Sequence, residues 1–165
     1  MSGTTGIYLW AFLLSMVPVS EIRGAMIWGV AALGNDTAGI IWLYLLSVVG
    51  NFLPVPFIML LFRPLMKWLK TTKMFGKFAH WLEERTHRKA SGLKKASAIA
   101  LFVFVAIPFP TTGAWTGSMI ASLLDIRFKY AFPAIFAGIM VSGLIMILLM
   151  TGVLNLGALG HLFGA

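Results

Sequence analysis

Glu21 and Arg23 interrupt an apolar stretch that runs from Ile7 to Leu33, with Pro18 before them and Gly24 after. An acid and a base deep in an apolar segment are costly and by default mark a functional site. Residues two apart on a regular helix do not face each other, so these two pair only where the backbone is irregular, which Pro18 and Gly24 permit. As a coupled pair they form a switch: the guanidinium can be taken by an arriving anionic group, whereupon the carboxylate takes a proton. The other reading is a structural ion pair that pins the segment to its neighbours. A second group, Pro108, Pro110, Thr111, Thr112 and Gly113, stands in the apolar stretch from Ser97 to Leu124. A helix that begins there presents unpaired backbone N–H groups and a positive dipole end, and the threonine hydroxyls add donors, which together suit an anion. The alternative is that the hydroxyls do no more than cap their own helix.

Other groups point to less. His80, Glu84 and His87 fall at i, i+4 and i+7 but lie among cations, so no metal site is expected there. Asn51, with Ser47 one turn before it and Pro54 and Pro56 after, suits either a cavity lining or an interhelical hydrogen bond. Cysteine is absent, no histidine falls within the predicted spans, and no pair of acids occurs in them. Nucleophile activation and two-carboxylate chemistry therefore lack their parts, and the chain is expected to be neither an enzyme nor a holder of a cofactor.

The elements that must position these residues belong to a bilayer. Of the 165 residues 59% are hydrophobic and only 11% charged, with a mean hydropathy of +0.92, whereas a soluble domain carries about 25% charged residues. Four apolar segments occur: Ile7 to Leu33, Ala38 to Phe62, Ser97 to Leu124 and Tyr130 to Thr151, followed by a Gly-rich apolar tail. Their uninterrupted runs read as helices rather than as barrel strands, which would alternate. No Lys or Arg precedes the first apolar stretch, which argues against a cleaved secretory signal.

The first and third segments break at their prolines into arms of about eleven residues, roughly 16 Å of helix and half the hydrocarbon thickness. That is the length of a re-entrant arm. Setting Pro18 against Pro108 with a gap of two residues pairs Ala25 with Gly113 and Gly29 with Gly117, small residues at a spacing that allows close helix contact. The expected fold is thus an all-α integral membrane protein, an inverted repeat of two re-entrant helical hairpins each followed by a transmembrane helix. Residues 1–62 form the first repeat (hairpin 7–33, helix 38–62). Residues 63–95 form a basic connector, and 96–165 the second repeat (hairpin 97–124, helix 130–151, tail).

The formal charge of +8 would suggest nucleic acid were it not so localised: ten of the 13 Lys and Arg residues lie between Arg63 and Lys95. The positive-inside rule makes that connector cytoplasmic. Leu65, Trp68, Leu69, Phe75, Phe78, Trp81 and Leu82 recur there at near-helical spacing, the pattern of an amphipathic helix on an anionic lipid surface. With re-entrant hairpins Arg127 and Lys129 also fall inside, so that 12 of the 13 cations are cytoplasmic. Both termini are then external, and the chain sits in the plasma membrane of a prokaryotic cell. Two full spans and two half-spans enclose little, so a homodimer is expected.

Two stretches carry a resemblance. Pro18 to Ala25 reads P-V-S-E-I-R-G-A, and Ile107 to Gly117 reads I-P-F-P-T-T-G-A-W-T-G. On these the sequence resembles the putative small multidrug export proteins, a family related to the DedA membrane proteins. That family usually shows P-L-P-G-T-G-A-W-T-G at the second stretch, so Phe109 and Thr111 depart from it, Thr111 in place of a glycine. The resemblance implies a DedA-like fold and, by way of DedA, translocation of lipids or lipid-linked phosphates tied to the proton gradient. Family name and residues differ in emphasis. A cationic drug asks for unpaired acids, whereas Glu21 has Arg23 beside it and both breaks offer donors. The expectation is a transporter that moves an amphipathic or anionic headgroup-bearing substrate through a midplane site at the two hairpin tips. The alternatives are a DedA-like lipid or lipid-phosphate scramblase and a membrane scaffold that transports nothing.

Overall fold

The computed structural model describes residues 3–70, 93–109 and 112–163. Pro110, Thr111, the His80, Glu84, His87 group and residues 71–92 of the basic connector lie outside them. Among the described residues every regular element is a helix: α1 (Gly3–Met16), α2 (Glu21–Leu33), α3 (Thr37–Phe52), α4 (Pro54–Lys70), α5 (Leu93–Ala106), α6 (Ala114–Leu123) and α7 (Phe128–Phe163).

The breaks fall where local chemistry puts them. Pro18 lacks an N–H and forces the residue before it out of the helical region, so α1 stops at Met16 and a turn over residues 17–20 leads into α2. α2 ends on Gly34, whose φ of 62° is a left-handed value that glycine adopts at no steric cost. Two residues on, the Asp36 carboxylate accepts a hydrogen bond from Gly39 N–H at 3.1 Å and caps α3. The stretch Thr37–Phe62 has the length and apolarity of a span, as does Phe128–Gly152. The first differs from the single helix expected over 38–62: α3 closes at Phe52, Leu53 forms a turn, and α4 restarts at Pro54. Pro54 and Pro56 cannot donate to the preceding turn, while proline suits the opening of a new helix. The second runs beyond its expected end at Thr151, its main chain remaining helical through the Gly-rich tail to Phe163.

Only a third of the most apolar stretch of each span is buried, and the exposed side chains include Ile41, Trp42, Leu45, Leu60, Leu61, Leu148 and Leu149. A core helix of a soluble protein would be largely covered. Here the outward faces are as apolar as the inward ones, which fits lipid as the solvent.

The helices form two compact units, Met1–Leu53 with Ile139–Ala165, and Pro54–Gly138. In the first, α1 packs on α2 and α3, and α2 on α3, around Ala11, Ile22, Ala25, Met26, Val30 and Leu43. Between helices in lipid, attraction comes from close packing rather than from water, and glycine makes room for it. A methyl at Gly29 would sit 2.5 Å from Leu43 Cδ1, one at Gly50 only 2.7 Å from the Phe12 carbonyl oxygen, and one at Gly143 2.7 Å from both Ile22 and the Tyr44 ring. In the second unit α6 packs against α4 and α5. Gly117 there admits Val105, and Gly138 lies against Val105 and the Phe102 carbonyl.

Candidate functional site

The turn between α1 and α2 holds the acid and base. Glu21 opens α2 with φ 49°, and this conformation costs an L-residue on the order of 1–2 kcal/mol. Its N–H is bonded to Val17 O at 2.9 Å, and Gly24 N–H to Ser20 O at 2.9 Å, so the turn is tied at both ends. The irregular backbone that an acid–base pair two residues apart requires is therefore found at Glu21 itself. Gly24 serves a different purpose, since a side chain there would collide with that of Ser20. Glu21 is buried at 6% exposure, Arg23 is half-buried, and the carboxylate acts electrostatically on the guanidinium. A carboxylate at the first position of a helix also gains from the positive end of its dipole. Pro18 and Val19 are exposed at the outer edge of the turn.

The break between α5 and α6 is built differently. Ile107 N–H donates to Val103 O at 3.1 Å and ends α5, and Phe109 N–H reaches Ile107 O at 2.8 Å across the half-buried Pro108. The Thr112 hydroxyl donates to Ile107 O and Phe109 O, each at 2.9 Å, while its N–H donates to Phe109 O at 3.1 Å. A hydroxyl has one proton, so here it is shared between two carbonyls of the incoming chain. These bonds close the turn. Gly113 is buried and extended at the N-cap of α6, whose ladder opens with Gly117 N–H to Gly113 O at 2.8 Å.

A further polar set belongs to the first unit. Ser47 and Asn51 on α3 and Ser142 on α7 are buried, and Ser47 Oγ, Asn51 Oδ1 and Ser142 Oγ have no hydrogen-bond partner among the described residues. Tyr44, one turn before Ser47, donates its phenolic proton to Met140 O at 3.0 Å. Ser47 and Asn51 are legible in the sequence as polar residues a turn apart in an apolar span. Ser142 and Tyr44 carry no such signal, because a single serine or tyrosine in an apolar helix is ordinary.

Helices throughout the described residues, two of them long and apolar enough to span, make this an all-helical membrane protein. The family model described as Putative small multi-drug export protein matches residues 21–145, from Glu21 to just past Ser142, and the chain belongs to that family. No curated protein and no solved structure is significantly similar to it.

Proposed function

We propose that the chain is a transporter of the small multidrug exporter type and that the turn at Glu21 and Arg23 binds the anionic or zwitterionic headgroup of an amphipathic substrate. The observation that carries this reading is the buried Glu21 held left-handed beside Arg23 at a break in an apolar segment. A strained conformation persists only where its surroundings hold it, and such residues cluster at functional sites. With Arg23 near, the carboxylate stays ionised. When a substrate anion takes the guanidinium, Glu21 is left as an uncompensated charge in low dielectric and binds a proton. Substrate binding is thereby coupled to proton uptake, with no covalent chemistry and no cofactor.

The wider arrangement in this proposal has both helix–turn–helix segments turning back to their own face of the membrane as an inverted, DedA-like repeat. Helices of 14 and 13 residues in the first and of 14 and 10 in the second reach about 15–21 Å, short of the 30 Å needed to cross. The basic connector then lies on the cytoplasmic leaflet of the plasma membrane against anionic lipid, both termini lie outside, and two copies assemble as a homodimer.

Reconstitution into proton-tight liposomes tests the function. Efflux of an anionic amphipathic dye should acidify or alkalinise the lumen in step with transport, and Glu21→Gln should abolish both. Dye movement without any proton signal would remove the coupling. Lipid scrambling without dye movement would favour the scramblase, and inactivity of wild type in both assays the scaffold.

A further inference from the structure

We propose that Ser47, Asn51 and Ser142 form a binding site for a small monovalent cation inside the first unit. The residues are 0%, 1% and 1% exposed, and Ser47 Oγ, Asn51 Oδ1 and Ser142 Oγ are without a hydrogen-bond partner among the described residues. Buried polar atoms in native proteins are nearly always bonded, and an exception asks for a missing water or ion. A serine in a helix has an easy remedy, which is to donate back to the carbonyl three or four residues earlier. Ser15 does so to Phe12 O at 2.6 Å, Ser122 to Ser118 O at 2.9 Å, and Ser118 to Ala114 O. Ser47 and Ser142 do not, although each has a turn of helix behind it. Both hydroxyls keep their hydrogen-bonding capacity for another ligand.

Helical geometry puts Ser47 and Asn51 on one stripe of α3 and Ser142 beside the point where α3 meets α7. At about 100° per residue, Ser47 and Asn51 lie on the stripe of α3 between two packed edges. On one edge Leu43 fills the notch at Gly29 of α2, and Gly50 lies against Phe12 and Ser15 of α1. On the other edge Tyr44 presses on Gly143 of α7 and bonds Met140 O. Ser142 shares the buried face of α7 with Ile139, Gly143 and Met146. Ile22 also reaches Gly143, so α2, α3 and α7 converge one residue from Ser142.

The chemistry of the oxygens selects the ligand. An amide oxygen only accepts, the Tyr44 proton is already committed, and each serine hydroxyl brings two lone pairs against one proton, so acceptors outnumber donors and a cation is favoured over an anion. Oxygen ligands suit hard cations, and affinity follows the number of charged ligands. Three neutral oxygens, completed by water, fit a single positive charge that has not shed all of its hydration. Sodium is the natural probe.

The full chain in lipid nanodiscs provides the test, with its tryptophan fluorescence followed on heating. Sodium chloride should raise the melting temperature along a saturating curve, and choline chloride at matched ionic strength should not. Asn51→Asp should lower the half-saturating sodium concentration about tenfold by adding a charge, while Ser142→Ala should raise it by about as much. Binding of radioactive sodium to the wild type, displaced by unlabelled sodium and not by choline, gives a readout that needs no variant to fold. Identical melting in the two salts, or no displaceable sodium, would mean that the oxygens hold water only and overturn the proposal. A sodium response unchanged in both variants would place the ion elsewhere and overturn it too. Glu21→Gln should leave the sodium response in place, so that failure of the exporter reading and failure of this site are told apart.

Discussion

The Tyr44 phenol on α3 donates a hydrogen bond of 3.0 Å to the main-chain carbonyl of Met140 on α7, and its ring closes over Gly143 one turn later. This one side chain joins two helices that are 96 positions apart in sequence. The bond and the packing are made by the same residue, so they should fail together.

Tyr44→Phe keeps the ring and removes the proton donor, which should cost about 0.6 kcal/mol, the average for interhelical hydrogen bonds in membranes. Gly143→Ala inserts a methyl 2.7 Å from Tyr44 and Ile22 and should cost about 1–3 kcal/mol by overpacking. In the double mutant the losses should fall short of additive by up to about 0.6 kcal/mol, because the displaced ring has already lost its bond. Denaturant titration in mixed micelles measures all three. Strict additivity would mean that the ring and the hydroxyl act independently.

Glu21→Gly should be more stable than Glu21→Ala, although both leave Arg23 without its counter-charge and both lose activity. Glycine accepts φ 49° freely, so about 1 kcal/mol of backbone strain is relieved, whereas the carboxylate that answers Arg23 is gone. A higher melting temperature for Glu21→Gly than for Glu21→Ala, with transport in liposomes lost in both, is the expected pair of results. A variant that transports normally would remove Glu21 from the mechanism.

Arg23→Gln alone leaves a buried carboxylate without its counter-charge, at a cost of about 3–5 kcal/mol by analogy with soluble proteins. Adding Glu21→Gln should recover folding, read as the monodisperse yield in detergent, while transport stays absent. If the double mutant also transports like wild type, the pair is neither a switch nor a binding element.

Asp36→Ala removes the carboxylate that accepts from Gly39 N–H and should destabilise the start of α3 by about 0.5–2 kcal/mol. Asp36→Asn should recover most of this, since an amide oxygen caps nearly as well. Amide hydrogen exchange over residues 37–40 reads the effect locally. Equal exchange in all three proteins would show that the cap contributes nothing.

For topology, a reporter active only in the cytoplasm and fused after Ala165 should be silent. Strong activity there would refute the turning-back of both broken segments.

Much of the helical plan is legible in the sequence, because proline and glycine act locally. Pro18, Pro108 and the Gly34 to Asp36 turn mark breaks that depend on a missing N–H or a left-handed residue, and each break falls where its residue stands. Pro54 carries the same signal, yet inside a long apolar run it reads as a tolerated kink, and the restart at α4 goes unseen. The left-handed backbone at Glu21 is not legible. Sequence alone assigns that freedom to Gly24, and only the packing of Ser20 over Gly24 shows glycine serving as space instead. Thr112 is legible as a donor, but its bonds to the Ile107 and Phe109 carbonyls are not, because a hydroxyl's direction is set by carbonyls that no motif displays. The burial of Ser142 depends on α2 and α3 arriving at Gly143, a meeting that no local pattern encodes.

The apolar outer faces of the two spans also govern how the molecule behaves outside a membrane. At 18.0 kDa and with large apolar side chains of both spans exposed, the extracted protein must carry a detergent collar. Elution volume then reports the micelle more than the polypeptide. Whether one or two copies share a collar is answered by weighing the polypeptide alone, through sedimentation at matched solvent density or native mass spectrometry after the collar is stripped.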